Sequence, residues 1–297
     1  MAVTDLHSLD ISTPIDKLFS TGAAIPGAVL SLVQETPQIN VGDNVPLVIT
    51  GRAKGALVHE GGAKPDNGRK PVPKPFTTAK VVYSQRVTDE FMQWDEERQA
   101  DYVSRLVNDW VTKSLPRDID TIVIHGRDPL TGTVDTNLSD YIRKPGSSIL
   151  VPSTGTTPAA VDTDFATAVT ELEGQNITGV ALSSTAGSAL AKVQEGNAKK
   201  YPELGVFGLA GNSLSGKQAA STPEVGEYGS TKLILGDWSQ LLLGFAGEAT
   251  WKTLEHGDPD NTGRDLQGHN EALIRLELKF GFRVLDAEAL AVVGAAS

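Results

Sequence analysis

Apolar and polar residues alternate with a period of two through Leu276, Leu278, Phe280, Phe282 and Val284, with Glu277, Lys279 and Arg283 between them. That pattern predicts a long antiparallel strand with one face buried. A longer period governs Asp95 to Ile124. There Tyr102, Val103, Leu106, Trp110 and Val111 share one helical face, and Arg98, Asp101, Arg105, Asn108, Asp109 and Thr112 the other. Asp95 suits an N-cap, and Glu96 and Glu97 fall in the first turn, where the helix dipole favours negative charge. Asp101 with Arg105, and Asp109 with Lys113, are acid-before-base pairs four apart. Pro116 is expected to kink or break the helix. Leu115, Ile119, Ile122 and Val123 nevertheless carry the stripe past it, and Gly126 ends it. A helix of that length spans ~45 Å, more than one small core needs. It reads as a spar crossing a domain, with Trp110 buried where it meets the terminal sheet.

Around these two elements the chain changes character. Residues 1–45 are punctuated by Pro14, Gly22, Pro26, Gly27, Pro37 and Gly42 and read as an arm with short apolar pieces such as Ala28-Val29-Leu30. Residues 46–85 read as a two-stranded excursion, outgoing at Val48-Ile49 and Leu57-Val58 and returning at Ala79–Tyr83. Residues 130–160 are loop-rich. Then come an α/β run with helices over 163–173 and 185–194, strands over 177–182, 232–235, 241–245 and 249–254, and a last strand over Ala289–Val293.

Charge sharpens the picture of the excursion. The chain carries 37 acidic and 26 basic residues, net -11, which argues against a whole-surface affinity for nucleic acid. From Gly51 to Arg86, however, eight basic residues face only Glu60 and Asp66, a local +6 that leaves -17 elsewhere. A basic arm on an acidic body invites contact between one copy of the chain and the next. No aromatic between Gly51 and Pro75 could stack on a base. The absence of cysteine excludes a disulfide framework, a thiolate metal site and a thiol nucleophile. MAVTDLHSLDIS lacks the basic and apolar segments of a signal peptide, and no apolar run reaches membrane-spanning length.

Candidate chemistry is sparse. Gly211-Asn-Ser-Leu-Ser-Gly216-Lys217 imitates a phosphate-binding loop, but Gln218 stands where a hydroxyl must meet magnesium, so it reads as a glycine-rich loop. Asp258, Asp260, Thr262 and Gly263 resemble the start of a calcium loop, but His269 takes the place of its bidentate acid, so they read as a turn. The five histidines are scattered. These residues predict no catalytic, cofactor or metal site, and two outward-reaching segments point instead to assembly.

The run GALVHEGGAKPDNGRKPVPKPFTTAKVVYSQRVTDEF, a long helix ending Ile122-Val-Ile-His-Gly126, the turn Gly236-Asp237-Trp238-Ser239 and the ending Glu288-Ala289-Leu290-Ala291-Val292-Val293 together resemble the tailed-phage major capsid proteins of the Hong Kong 97-type fold. The resemblance covers most of the chain from about residue 25. It implies an α+β fold: an N-terminal arm (1–45), an extended E-loop (46–85), a peripheral domain (86–130 and 240–297, with spine helix 95–124) and an α/β axial domain (131–239). It implies a shell subunit that assembles with itself as hexamers and pentamers around double-stranded DNA, without sequence-specific binding, cofactor or membrane. It further implies a virion capsid built in the host cytoplasm, with a portal, a separate scaffolding protein and decoration proteins. An encapsulin-type compartment is the alternative. Some members of that family weld their subunits. Carried over by position, the lysine is Lys64, the asparagine Asn270 and the proton-accepting glutamate Glu277.

Overall fold

The computed structural model describes residues 27–34, 47–48, 57–60, 72–205, 208–209, 212–229, 231–247 and 249–294. The expected arm before residue 27 lies outside these residues, as do 46, 49–56 and 61–71 of the expected excursion; its described parts are Leu47–Val48 and Val72–Pro73, which are antiparallel partners, residues 57–60, and the returning strand Thr77–Thr88.

The helix read from Asp95 is one continuous rod in three parts: α-helix Glu96–Asp109, a π turn Trp110–Ser114 and α-helix Leu115–His125. Asp95 caps it as expected, its carboxylate accepting the Arg98 amide at 2.9 Å. Pro116 does not break the rod. It sits in the first turn after the π segment, where the Leu115 amide already bonds to Trp110 rather than to the residue four back. The wider turn gives the proline ring its clearance. Buried positions run Val103, Val107, Val111, Leu115 and Ile119, every fourth residue. On an ideal helix such a stripe drifts by about 40° per step, and the π turn takes part of that drift back. The buried face is therefore rotated from the expected one. Val107 is buried, whereas Trp110 is only half-buried and stacks on Tyr83, centroids 5.8 Å apart. Gly126 ends the rod at φ 64, and a Cβ there would lie 2.4 Å from the Tyr141 ring.

The alternating segment is a strand of 14 residues, Glu271–Val284. One of its edges pairs with Leu241–Phe245 and Thr250–Leu254, the other with Thr77–Thr88, all antiparallel. Its even-numbered residues from Ala272 to Val284 are buried against the spar helix side, as expected; Leu273 and Gly281 on the other face are buried too.

A second, six-stranded sheet has the order Ser213–Leu214, Lys217–Thr222, Gly179–Ser183, Leu233–Gly236, Leu290–Gly294, Ile149–Pro152. Its three central strands are buried throughout. One face packs against the spar core through Ala181, Ala220, Ile234 and Val292. The other packs under the helices Pro158–Glu171 and Ser184–Leu190 through Val180, Leu182, Leu233 and Val293. The last strand thus pairs with strands from the 131–239 region. The expected grouping of 240–297 with the spar does not describe its pairing.

The two sheets meet at Gly236-Asp237-Trp238-Ser239. Gly236 has φ 143, and a Cβ would fall 2.0 Å from the Ala289 carbonyl oxygen. The Asp237 amide donates to that same oxygen at 2.8 Å. Trp238 is fully buried and its indole N–H donates to the Gly179 carbonyl at 3.0 Å. The four residues form a fixed joint between the sheets.

Candidate functional site

The residues set apart by sequence are dispersed. Lys64 lies outside the described residues. Asn270 sits at φ 53, where its carbonyl accepts the Asp89 amide at 2.9 Å and the long strand begins. Glu277 lies in the middle of that strand, bound by Lys80 at 2.6 Å. The Lys80 ammonium holds the Glu277 carboxyl below the usual carboxylate range. Seven residues of strand separate Asn270 from Glu277, ~23 Å. One copy cannot bring both to the same bond.

The phosphate-loop imitation is a hairpin turn. Ser215 and Gly216 both have positive φ and join Leu214 to its partner Lys217. This is the geometry of a tight two-residue hairpin, with no helix following. The acidic turn has a cation of its own. The Arg86 guanidinium reaches Asp258 at 3.0 Å and Glu271 at 2.7 Å, and also bonds Asp260, the Thr262 hydroxyl at 2.6 Å and the Arg264 carbonyl at 3.0 Å. The residues form a turn, as read from the sequence, with Arg86 where the calcium loop they imitate would hold its ion, and Arg86 holds the Asp260 and Glu271 carboxyls below their ordinary range. Among the described residues no cluster of three or more His, Asp or Glu could hold a metal ion, and no helix is long and apolar enough to cross a membrane.

Two buried groups escaped the sequence reading. Asp120 is fully buried on the spar helix. Its carboxylate accepts the amides of Ala28 at 2.7 Å and Val29 at 2.8 Å, and the Thr222 hydroxyl at 3.2 Å. It thereby pins the short helix Ala28–Leu32 into the crevice between the spar and the six-stranded sheet, where Ala28, Val29 and Leu32 are buried. Burial raises the Asp120 carboxyl to about 7. His125, also buried, faces the Glu224 carbonyl through Nε2 at 2.8 Å and Arg143 through Nδ1 at 3.4 Å. Neutral imidazole suits this pair, with Nε2–H donating and Nδ1 accepting. Burial and the nearby Arg143 and Arg127 lower His125 to about 4.

Three of the eight cations counted toward the basic excursion are held by the body. Lys74 donates to the Leu285 carbonyl, Lys80 pairs with Glu277, and Arg86 fills the acidic turn. Beside the root of the excursion lies a groove of about 840 Å³ between the strand residues Thr78–Tyr83, the spar residues Ser114, Asp118 and Ile122, and the loop Arg127–Leu138. It is an open trough lined by strand edge and loop.

No family model and no curated protein matches the chain. Solved structures do. A structure from Mycobacterium phage Ogopogo is 27% identical, with TM-score 0.72, over 92% of this chain and 94% of that one. One from Gordonia phage Cozz is 24% identical, with TM-score 0.71, over 92% and 88%. The capsid of an empty GTA particle is 10% identical, with TM-score 0.61, over 92% and 97%. Two are structures from phages and the third is a capsid, and the chain shares their fold across nine-tenths of its length.

Proposed function

We infer that the chain is the major capsid protein of a tailed bacteriophage, the subunit that self-assembles into the virion shell. The observation that carries this is the end-to-end likeness to phage capsid structures, covering about nine-tenths of both partners. The encapsulin alternative is not favoured by these matches. Among the described residues, the buried Asp120, Asp164 and His125 hold the chain's own elements together.

The finer reading follows the Hong Kong 97-type plan. The arm is 1–45, the E-loop 46–85, the spine helix 95–124, and the axial domain 131–239 together with the strand Leu290–Gly294. Subunits would form hexamers and pentamers around double-stranded DNA in the host cytoplasm, with scaffold, portal and decoration proteins as separate partners. Lys64, Asn270 and Glu277 form the proposed self-crosslink set. The separation of Asn270 from Glu277 along one strand means that any such weld draws them from different copies. Light scattering on purified protein tests the main reading. A particle of many copies supports it, and a stable monomer or dimer under all assembly conditions refutes it.

A further inference from the structure

Two large apolar side chains stay exposed among charges of opposite sign. Val82, 44% exposed, lies on the outer face of the four-stranded sheet, and Trp94, 41% exposed, lies where the spar begins. Isolated exposed apolar residues are ordinary, whereas an apolar centre with a polar rim has the anatomy of a contact surface.

The sheet face is laid out by strand register. Val82 stands opposite Glu277, which stands opposite Thr250. The neighbouring row on one side is Lys80 opposite Lys279, and on the other Ser84, Arg275 and Lys252. Four cations thus border Val82 against one carboxylate. Lys80 takes that carboxylate at 2.6 Å, and the Arg275 guanidinium donates to the Pro259 carbonyl at 2.6 Å. Lys252 and Lys279 are exposed and form no ion pair among the described residues. The acidic turn beyond Ser84 does not neutralise them, because Arg86 already holds Asp258, Asp260 and Glu271. Like charges directly opposite destabilise a sheet, and two such pairs, Lys80 with Lys279 and Arg275 with Lys252, share this face. An anionic partner offsets that repulsion.

Trp94 is fixed before any partner arrives. Its ring lies 5.3 Å from Phe91 and 6.4 Å from Tyr102, and the Arg98 guanidinium lies 5.3 Å from its centroid. Its carbonyl accepts the Gln99 side-chain amide at 2.8 Å. Asp89, Glu90 and Glu97, all exposed, lie within five residues of it and form no ion pair among the described residues. Asp95, the helix cap, adds a fourth carboxylate.

Within one chain the two surfaces stay apart. Six residues of strand separate Val82 from Thr88, ~20 Å, and Trp94 lies beyond that end, packed on Phe91 and Tyr102. A contact between them joins different copies head to tail, and such a contact repeats into rings or lattices.

We propose that the outer sheet face of one copy receives the start of the spar of a second copy, with Trp94 against Val82 and Asp89, Glu90 and Glu97 toward Lys80, Lys252 and Lys279. The inference rests on the shell-subunit reading and names a pair of surfaces that hold neighbouring subunits together.

Carbodiimide joins a carboxylate to a touching amine with loss of water. It is applied to wild-type particles assembled from an equal mixture of light and heavy-nitrogen subunits. Mass spectrometry of the digest is expected to show Lys252 or Lys279 joined to Asp89, Glu90 or Glu97 in peptide pairs of mixed isotope, absent from dissociated subunits. Absence of these links from intact particles overturns the proposal, and so do pairs of one isotope only. Charge exchange supplies an independent arm. Lys252→Glu with Lys279→Glu should keep the wild-type circular dichroism while particle yield falls about ten-fold or more, because like charges then face each other. Adding Asp89→Lys and Glu97→Lys should return the yield to within about two-fold of wild type. An unchanged yield in the first variant, or no recovery in the second, overturns the proposal. So do normal shells that lose only their nucleic acid, which would assign the face to phosphate. If wild type forms no particles, the shell reading itself has failed and this contact fails with it.

Discussion

Replacing Asp120 by alanine tests the most consequential buried contact in the molecule. The change removes the acceptor of the Ala28 and Val29 amides, at 2.7 and 2.8 Å, inside a site with no solvent access. An orphaned buried donor costs about 1–3 kcal/mol, so the two together cost about 2–6 kcal/mol. The Thr222 hydroxyl can rotate toward another acceptor and adds little. Asp120→Asn keeps one acceptor oxygen and should lose roughly half as much. The pH dependence has a definite sign. A carboxyl raised from its ordinary value to about 7 contributes stability that is present at low pH and lost as pH rises through 7. The advantage of wild type over the asparagine variant should therefore shrink between pH 5 and pH 8. Urea titration followed by tryptophan fluorescence gives the stabilities, and hydrogen exchange at Ala28 and Val29 locates the change. Equal midpoints for wild type and Asp120→Ala at pH 6 would refute the reasoning. A gap that widens with pH would show that the backbone donors, rather than burial, control the carboxyl.

Four further outcomes follow from the same structure. His125, lowered from 6.5 to about 4, contributes stability present above pH 6.5 and lost as pH falls; wild type should lose about 2 kcal/mol more than His125→Gln between pH 7 and pH 5, read by urea titration. Leu115→Ala, at a fully buried position, should cost about 2–5 kcal/mol, and Trp110→Ala, at the rim, should cost less; the reverse order in thermal melts would put the buried face back where the sequence placed it. Arg86→Met should open the 258–264 turn to proteolysis, while millimolar calcium should leave the melting temperature of wild type unchanged, since the guanidinium already occupies the acidic turn. Particles boiled in detergent test the weld: linked bands lost in Lys64→Arg establish it, and a single band at 31.4 kDa excludes it.

Much of the architecture is legible in the chain because periodicity reports burial. The strand Glu271–Val284 and the rod Glu96–His125 were both readable, including Asp95 as cap and Gly126 as stop. The rotated face of the rod was not. Aromatic residues weigh heavily in a hydrophobic pattern, yet Tyr102 and Trp110 sit at the rim, where amphipathic rings are comfortable, while small Val107 fills the core. The π turn depends on packing around Pro116 and leaves no local signature. Strand character was evident at Leu290–Gly294, but its partner was not, because alternation tells which residues are buried and never against which strand. Asp120 carried a usable signal, a lone acid within the apolar run Ile119–Ile124, whose burial demands donors. Arg86 carried none, for its acids lie more than 170 residues away.

Electron microscopy of the purified, assembled protein tests the central claim most directly. Closed shells of uniform diameter, whose averaged images show icosahedral symmetry with the spar and both sheets resolved in each subunit, are the expected result. A homogeneous population of isolated subunits or small open oligomers, under conditions that preserve the fold, would contradict it.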